Sequence, residues 1–202
     1  MIAPDFLRSK TLPIAALLGV FALAAVPSAL ALQPAQTQAA IDVQVFFTPG
    51  DDAAGKIIAA INEAHKQILV QAFSFTHPGI AGALIAAHRR GVDVRLIADR
   101  EQTENIRHNR IPAIAAAGIP VWLDGQHRAA HNKVMVIDAD SANIADVAVV
   151  AGSYNFTNAA QYTNAENVLL IRADRPLAKA YQQNWQRHQP HSKPWAAARQ
   201  EY

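Results

Sequence analysis

The sequence has 202 residues, a formal net charge of +2 and no cysteine. This length suits one domain with terminal extensions, or at most two small domains. The absence of cysteine from the sequence excludes disulfides, thiolate metal sites and a thiol nucleophile. The near-neutral charge gives only weak support for a nucleic-acid-binding protein.

The N-terminal segment has the order of a secretory signal. Two basic residues precede an apolar run at 12–26, and an A-x-A cleavage site ends at Ala31. The alternative is an uncleaved membrane anchor, although the run is shorter than the ~20 residues that span a bilayer. We therefore predict a signal peptide at 1–31, a flexible leader at 32–41, and a periplasmic or secreted mature protein.

From residue 42 to residue 190 the apolar pattern alternates between strand-like and helix-like segments. Strands are expected at the segments DVQVFFT, ILVQAFSF, VDVRLIAD, IPVWLD, KVMVID, DVAVVAG and ENVLLIRA. Helices are expected around 53–67, 79–91, 111–117 and 176–188. The alternation predicts an α/β domain whose mixed β-sheet is flanked by helices on both faces, followed by a tail at 191–202.

A histidine and a lysine lie two positions apart, at the start of one predicted strand. Residues two apart point to the same side of a strand, so His131 and Lys133 share a face. Asp138 would face the other side if the strand stayed regular. We expect Asp138 to serve structure, by capping the strand end or by binding backbone groups.

The next two strands add further polar residues. Ser153 and Asn155 repeat the two-residue spacing beside Gly152, a glycine that would let the backbone approach a ligand. Glu166 opens the following strand. One nucleophile or base, one fixed cation, two neutral hydrogen-bonding groups and one carboxylate together suit the handling of a phosphate.

Each of these residues also has an ordinary structural explanation. A single histidine in a strand is more often packed or exposed than catalytic, and Gly-Ser before Asn is common in turns. The spacing His127-x3-His131 is compatible with zinc on a helix, but strand and turn signals surround it, so no metal site is expected. The full combination is far less frequent by chance than any one member.

His131, Lys133 and Asp138 match the H-x-K-x4-D signature of the phospholipase D superfamily. From about residue 43 to 185 the chain resembles the small bacterial endonucleases of that superfamily that carry one such motif. Segments such as GSYNFTNAA and NAENVLLI carry the resemblance. The stretch at 139–151 is longer than that pattern usually has, and we expect it to change the rim of the site while leaving the site intact.

The resemblance implies phosphodiester cleavage through a covalent phosphohistidine, with no cofactor and no metal. His131 would attack phosphorus, and Glu166 would accept its second ring N–H. Lys133, Ser153 and Asn155 would hold the non-bridging oxygens. In-line displacement needs a second imidazole opposite the first, so we expect a homodimer in which two motifs face each other across a two-fold axis.

Arginines are concentrated between residues 89 and 110, and this region could be a solvated surface or a phosphate-binding face. We expect Arg107 and Arg110 to contact a DNA or RNA substrate. A phospholipid phosphodiesterase is the alternative, although no amphipathic membrane-binding segment, and so no stable membrane insertion, is expected in the mature chain. A third alternative, a non-enzymatic nucleic-acid-binding protein, would be expected to have lost His131, Lys133 or Glu166.

Overall fold

A computed structural model of the chain describes residues 40–198, which lie within one unit that spans 38–202. The predicted signal peptide at 1–31 and nearly all of the predicted leader lie outside the described residues. Among the described helices, none is both long enough and apolar enough to cross a bilayer.

Strands and helices alternate along the described chain. The strands are β1 Asp42–Thr48, β2 Gln67–Ala72, β3 Asp93–Asp99, β4 Val121–Asp124, β5 Lys133–Ile137, β6 Ala148–Gly152, β7 Glu166–Arg172 and β8 Lys193–Pro194. The helices are α1 Ala53–Glu63, α2 Pro78–Arg89, α3 Arg100–Asn105, α4 Ile111–Ala116, α5 Asn158–Tyr162, α6 Arg175–His188 and α7 Trp195–Ala198. Two short 3₁₀ turns are at Ile144–Asp146 and Gln189–His191.

The longer helices begin where a side chain accepts a hydrogen bond from the first free backbone N–H groups. Asp52 caps α1 by accepting from Gly55 N at 2.9 Å, and Asp174 caps α6 by accepting from Leu177 N at 3.0 Å. The helix α2 begins with Pro78, a residue that fits the first helical position.

The strands form one mixed sheet in the order β1-β7-β6-β5-β2-β3-β4-β8. The strands β2, β3 and β4 are parallel, and every other neighbouring pair is antiparallel. Separate apolar clusters cover the two faces. The larger cluster packs α1, α2 and α4 on the sheet, and the smaller one packs α6, whose Trp185 Nε1 donates to Val70 O at 2.9 Å. The predicted fold class is therefore confirmed.

The strand directions create one sheet edge where polar residues collect. We call it the upper edge, and the opposite one the lower edge. At the upper edge β2, β3, β4 and β6 end while β5 and β7 begin, and the terminal residues there are Ala72, Asp99, Asp124, Gly152, Lys133 and Glu166.

Some elements differ from the sequence expectation. The predicted tail at 191–202 contains β8, whose Lys193 and Pro194 pair with β4, so part of that segment belongs to the sheet. The short helices α3 and α5 were not expected, since six and five residues are too few to show a helical period. The helix predicted at 53–67 ends at Glu63, because β2 already begins at Gln67.

Candidate active site

His131 and Lys133 meet at the upper edge, where β5 begins. Lys133 Nζ lies 3.1 Å from His131 Nδ1 and donates to the backbone oxygen of His131 at 2.7 Å. The imidazole is exposed, whereas Lys133 is 7% exposed. An accessible ring and a cation with little access to solvent therefore stand side by side, as the shared strand face predicted.

Phe73, directly after β2, supports both side chains. Its ring centroid lies 4.3 Å from that of His131 and 4.9 Å from Lys133 Nζ. The backbone N of Phe73 donates to the backbone oxygen of Asn132 at 2.9 Å. Asn132 lies between the histidine and the lysine in sequence, so this bond holds Phe73 next to both. Phe73 was not predicted from the sequence, because an aromatic residue in an apolar segment looks like an ordinary core residue.

The surroundings of Lys133 affect its charge. Burial lowers the pKa of the Lys133 ammonium below its ordinary value, and the negative charge of Glu166 offsets part of this effect. A cation that has lost much of its hydration interacts strongly with any anion placed beside it. Lys133 is thus suited to hold an anionic group next to His131.

Ser153 and Glu166 form a polar network between β6 and β7. Ser153 Oγ donates to Glu166 Oε2 at 2.5 Å, and Asn164 Nδ2 donates to Glu166 Oε1 at 3.0 Å. Ser153 Oγ in turn accepts from Asn167 N at 3.1 Å. These bonds hold the Glu166 carboxylate at the upper edge.

The Glu166 contact differs from the expected one. Among the described residues, the hydrogen bonds of its carboxylate come from Ser153 and Asn164 rather than from the ring of His131. Glu166 was expected to accept a hydrogen bond from one ring nitrogen of His131. Nδ1 of that ring lies instead 3.1 Å from Lys133 Nζ. The charge of Glu166 acts on Lys133, whose pKa it raises.

Asn155 carries a polar atom without a partner. Its Oδ1 is buried and accepts no hydrogen bond, the one such side-chain atom among the residues that the structure describes. Native proteins leave few buried polar atoms unpaired, and binding sites are one place where they occur. Rotation of the amide would exchange this oxygen for the Nδ2 donor, so Asn155 carries hydrogen-bonding capacity that no other described side chain uses at this atom.

Gly152 is required by a close backbone contact that the sequence does not show. A Cβ at this position would overlap the backbone oxygen of Asn167, on the neighbouring strand. The following residue, Ser153, donates its N–H to that same oxygen at 3.1 Å. The glycine therefore allows β7 to approach closely and sets the position of Ser153, and the approach of the backbone to a ligand stays a prediction.

Asp138 lies at the lower edge, at the far end of β5 from His131. Its buried carboxylate accepts hydrogen bonds from the backbone N–H groups of His65, Lys66 and Gln67, each at 2.7 Å. A φ of +50° at Asp138 ends the regular strand, so the simple alternation of faces stops there. This residue joins the start of β2 to the end of β5.

The long segment at 139–151 also departs from expectation. It connects β5 to β6 at the lower edge, where Ile137 pairs with Ala148, and Ser141 Oγ donates to Asp146 Oδ2 at 2.7 Å. The prediction that this segment changes the rim of the site is therefore wrong, because the connection lies at the lower edge. The hairpin can be lengthened because this end of the strands carries none of the predicted catalytic side chains.

The arginine-rich region divides between the two edges. Arg89 ends α2 at the lower edge, whereas Arg107 and Arg110 follow α3 beyond the upper end of β3. Arg110 N donates to Phe75 O at 2.9 Å, which ties this loop to the chain just after β2. The continuous basic face considered from sequence is therefore two separate regions, and only the second lies on the side of His131.

A cluster of potential metal ligands was missed. No metal site was expected from the sequence and His127 was discounted, but the structure brings its ring together with three other side chains. The members of this group, which we call the Asp–His cluster, are Asp124, His127, His188 and His191. The spacings D-x2-H and H-x2-H were visible in the sequence, but 60 residues separate the two pairs and only the fold joins them.

A mixed sheet whose β5 carries one H-x-K-x4-D motif, with the histidine and the lysine at the upper edge, defines a phospholipase D-like protein. Residues 57–189 match the family described as "Cardiolipin synthase, PLD-like domain". The chain belongs to the phospholipase D superfamily, a family of phosphodiesterases.

Individual proteins support the same assignment. The chain is 38% identical to "Phospholipase D" of Rickettsia prowazekii over 71% of its own length and 66% of that relative. It is 33% identical to "Mitochondrial cardiolipin hydrolase" of Xenopus tropicalis over 70% of its length and 65% of that relative. The chain thus spans about two thirds of these curated relatives.

A solved structure extends the likeness to the whole of another chain. The phospholipase D family member Nuc from Salmonella typhimurium superposes with a TM-score of 0.70 at 34% sequence identity. The match covers 77% of this chain and 99% of the Salmonella chain. The predicted resemblance to the small single-motif branch of the superfamily is confirmed.

Proposed function

We propose that this phosphodiesterase is a DNA endonuclease without sequence preference, which works through a phosphohistidine on His131. The observation that carries the proposal is the contact of 3.1 Å between the His131 ring and the buried Lys133 ammonium, together with the unpaired amide oxygen of Asn155, three residues after the upper end of β6. A nucleophile, a desolvated cation and a free hydrogen-bonding group are the parts that phosphoryl transfer requires.

In the first step a ring nitrogen of His131 forms a bond to phosphorus as the bond to the leaving oxygen breaks. Lys133 and Asn155 hold the non-bridging oxygens during this exchange. A second ring, opposite the first and starting as imidazolium, gives one of its two protons to the leaving oxygen and becomes neutral. That imidazole then removes a proton from water, and the resulting hydroxide displaces His131 and frees the phosphate product.

The positions of the ring protons distinguish the two proposed roles of His131, nucleophile and general acid. A lysine ammonium only donates, so Nδ1 accepts in the contact with Lys133 and the ring proton is on Nε2. A neutral ring has no proton to spare for a leaving oxygen, so the general acid has to be an imidazolium, which carries a proton on each nitrogen. Attack by Nε2 requires instead a neutral ring with its proton on Nδ1.

The second imidazole is proposed to come from a second copy of the chain, across a two-fold axis. Support comes from the edge strand β1, which leaves Val43, Val45 and Phe47 48–60% exposed. Phe47 pairs with Asn167 and is adjacent to Thr48, the partner of Glu166. An apolar surface beside the site is the kind that a dimer interface would cover.

DNA is favoured as substrate by the resemblance to the single-motif endonucleases and by Arg107 and Arg110 on the side of His131. The names of the relatives favour a second candidate, a phospholipid phosphodiesterase that uses the same site. We also propose export of the protein to the periplasm or medium, on the signal-like order of residues 1–31.

The test compares substrates with one enzyme preparation. Purified protein is incubated with plasmid DNA, and separately with phosphatidylcholine and cardiolipin vesicles, in buffer with EDTA and in buffer with zinc. We expect nicking and linearisation of the plasmid in both buffers, and none by His131→Asn. Vesicle hydrolysis without plasmid cleavage would assign the site to lipids, and plasmid cleavage in zinc but not in EDTA, by protein that stays folded in both buffers, would contradict metal-free chemistry.

A further inference from the structure

The Asp–His cluster has the geometry of a metal centre. The four potential ligand atoms lie within 4.8 Å of one another. Asp124 Oδ2 is 3.0 Å from His127 Nδ1, 3.4 Å from His188 Nδ1 and 3.4 Å from His191 Nε2. In a tetrahedral zinc site with bonds of about 2.0–2.1 Å, ligand atoms are about 3.3 Å apart, so these three distances match.

Hydrogen bonding alone explains the cluster poorly. Three imidazoles point at one carboxylate oxygen, and the side chain of Asp124 has no solvent exposure to relieve the crowding. The ring centroids of the histidines are 5.1–5.2 Å apart, so any two protonated rings would repel each other. A divalent cation at the centre would be bound by all four side chains, so the three imidazoles would no longer compete to donate to one oxygen.

The remaining carboxylate oxygen is held in the way that metal-binding carboxylates commonly are. Asp124 Oδ1 accepts from the backbone N–H of Gln126 at 3.1 Å and of His127 at 3.4 Å. Such outer hydrogen bonds orient a ligand before the metal arrives. The histidines keep 20–46% of their side-chain surface exposed, which leaves a path for the ion.

We propose that the Asp–His cluster binds one zinc ion. Four protein ligands with nitrogen and oxygen atoms close a tetrahedral site, which is typical of structural zinc rather than of catalytic zinc with an open position. The inference goes beyond the proposed nuclease function, because this site contains none of the residues proposed to react with phosphate.

The zinc would fasten three parts of the chain together. Asp124 ends β4, His188 ends α6, and His191 lies in the turn before β8. His127 lies in the loop that leads to His131, and the same loop is tied further on by Ala130 N, which donates to Asp99 Oδ2 at 2.8 Å. The ion would thus hold the C-terminal segment on the sheet and fix the start of the loop that carries His131.

The experiment uses the full chain, purified without a polyhistidine tag and dialysed against micromolar zinc. Elemental analysis should find about one zinc per chain. Zinc should raise the melting temperature by about 5–10 °C over the EDTA-treated protein, as expected for a ligand that binds only the folded state in large excess over its Kd. The double variant His188→Ala/His191→Ala should lose both effects, whereas His65→Ala, an exposed histidine outside the cluster, should keep both.

Cobalt provides a readout that does not depend on variant folding. Wild-type protein loaded with Co²⁺ should show the intense visible bands of a tetrahedral site, and zinc should remove them. Fewer than about 0.1 zinc per chain with no melting shift, or equal zinc in the double variant, would overturn the proposal, as would stoichiometric iron, nickel or copper in its place. These measurements need no substrate, so they are independent of whether the chain cleaves DNA.

Discussion

The two ends of β5 carry one sequence motif but perform different tasks. At the upper end His131 is exposed and Lys133 is buried beside it, with a lowered pKa caused by burial. At the lower end the Asp138 carboxylate is fully used, because it accepts three backbone hydrogen bonds. A motif read as one unit in sequence is thus divided by the length of a strand into a reactive pair and a structural anchor.

This contrast teaches that burial has opposite consequences at the two ends. Burial with partners stabilises the fold, since Asp138 satisfies three N–H groups that would otherwise lose hydrogen bonds. Burial of Lys133 raises the free energy of its charged form. Lys133 at the upper end is therefore expected to lower the free energy of unfolding while it serves activity. Asp138 at the lower end is expected to raise the free energy of unfolding without taking part in the reaction.

The largest expected effect is on turnover at the upper end. His131→Asn removes the proposed nucleophile and, in a dimer, the proposed general acid, so we expect DNA cleavage to fall by about 10⁴-fold or more. The free energy of unfolding should change little, because the side chain is exposed. Plasmid cleavage and urea unfolding of the same preparation measure the two quantities.

Lys133→Met should separate activity from stability. Loss of the cation is expected to lower turnover by about 10²–10³-fold, while the folded state is stabilised because a buried charge is removed. The lysine pKa is lower in the folded state than in the unfolded one, so its cost is full below the folded pKa and falls as pH rises from the folded to the unfolded pKa. The stability difference between variant and wild type should therefore shrink at alkaline pH.

Asp138→Ala should give the opposite result. Three N–H groups lose their acceptor in a buried position, so we expect the free energy of unfolding to fall by about 3 kcal/mol or more. The turnover of the remaining folded molecules should stay near that of the wild type. Loss of turnover without loss of stability would contradict the division between the two ends.

Charge reversal on the two edges tests the substrate path. Arg107→Glu/Arg110→Glu should weaken DNA binding and reduce the salt slope by about 2, since two phosphate contacts are lost. The matched control is Lys66→Glu/Arg89→Glu at the lower edge, which should leave the slope unchanged. An equal change in both variants would indicate that only net charge matters.

The smallest effect is expected in the long lower hairpin. The pKa of Asp140 is lowered by its hydrogen bonds from Lys179 and Gln182, and its contribution is therefore lost as pH falls through the folded pKa. Because this ion pair is largely exposed, Asp140→Asn should cost less than about 1 kcal/mol at neutral pH and nothing in acid. Plasmid cleavage should be unaffected.

Local patterns were enough to predict most strands and the pairing of His131 with Lys133, because both depend on spacing within one segment. Asp138 was expected to bind backbone groups, but its partners at 65–67 could not be named without the β2–β5 pairing. Phe73 and the Asp–His cluster were missed for the same reason. Their contacts join distant segments, and no local period reports them.

The most direct test of the central claim is a single-turnover reaction with an oligonucleotide that carries ³²P at internal phosphates. Rapid acid-free quenching and denaturing electrophoresis should show label on the wild-type chain, in an acid-labile and alkali-stable bond as expected for a phosphoramidate. The His131→Asn chain should acquire none and should leave the oligonucleotide intact. Cleavage by His131→Asn at a rate within about tenfold of the wild type would contradict the account.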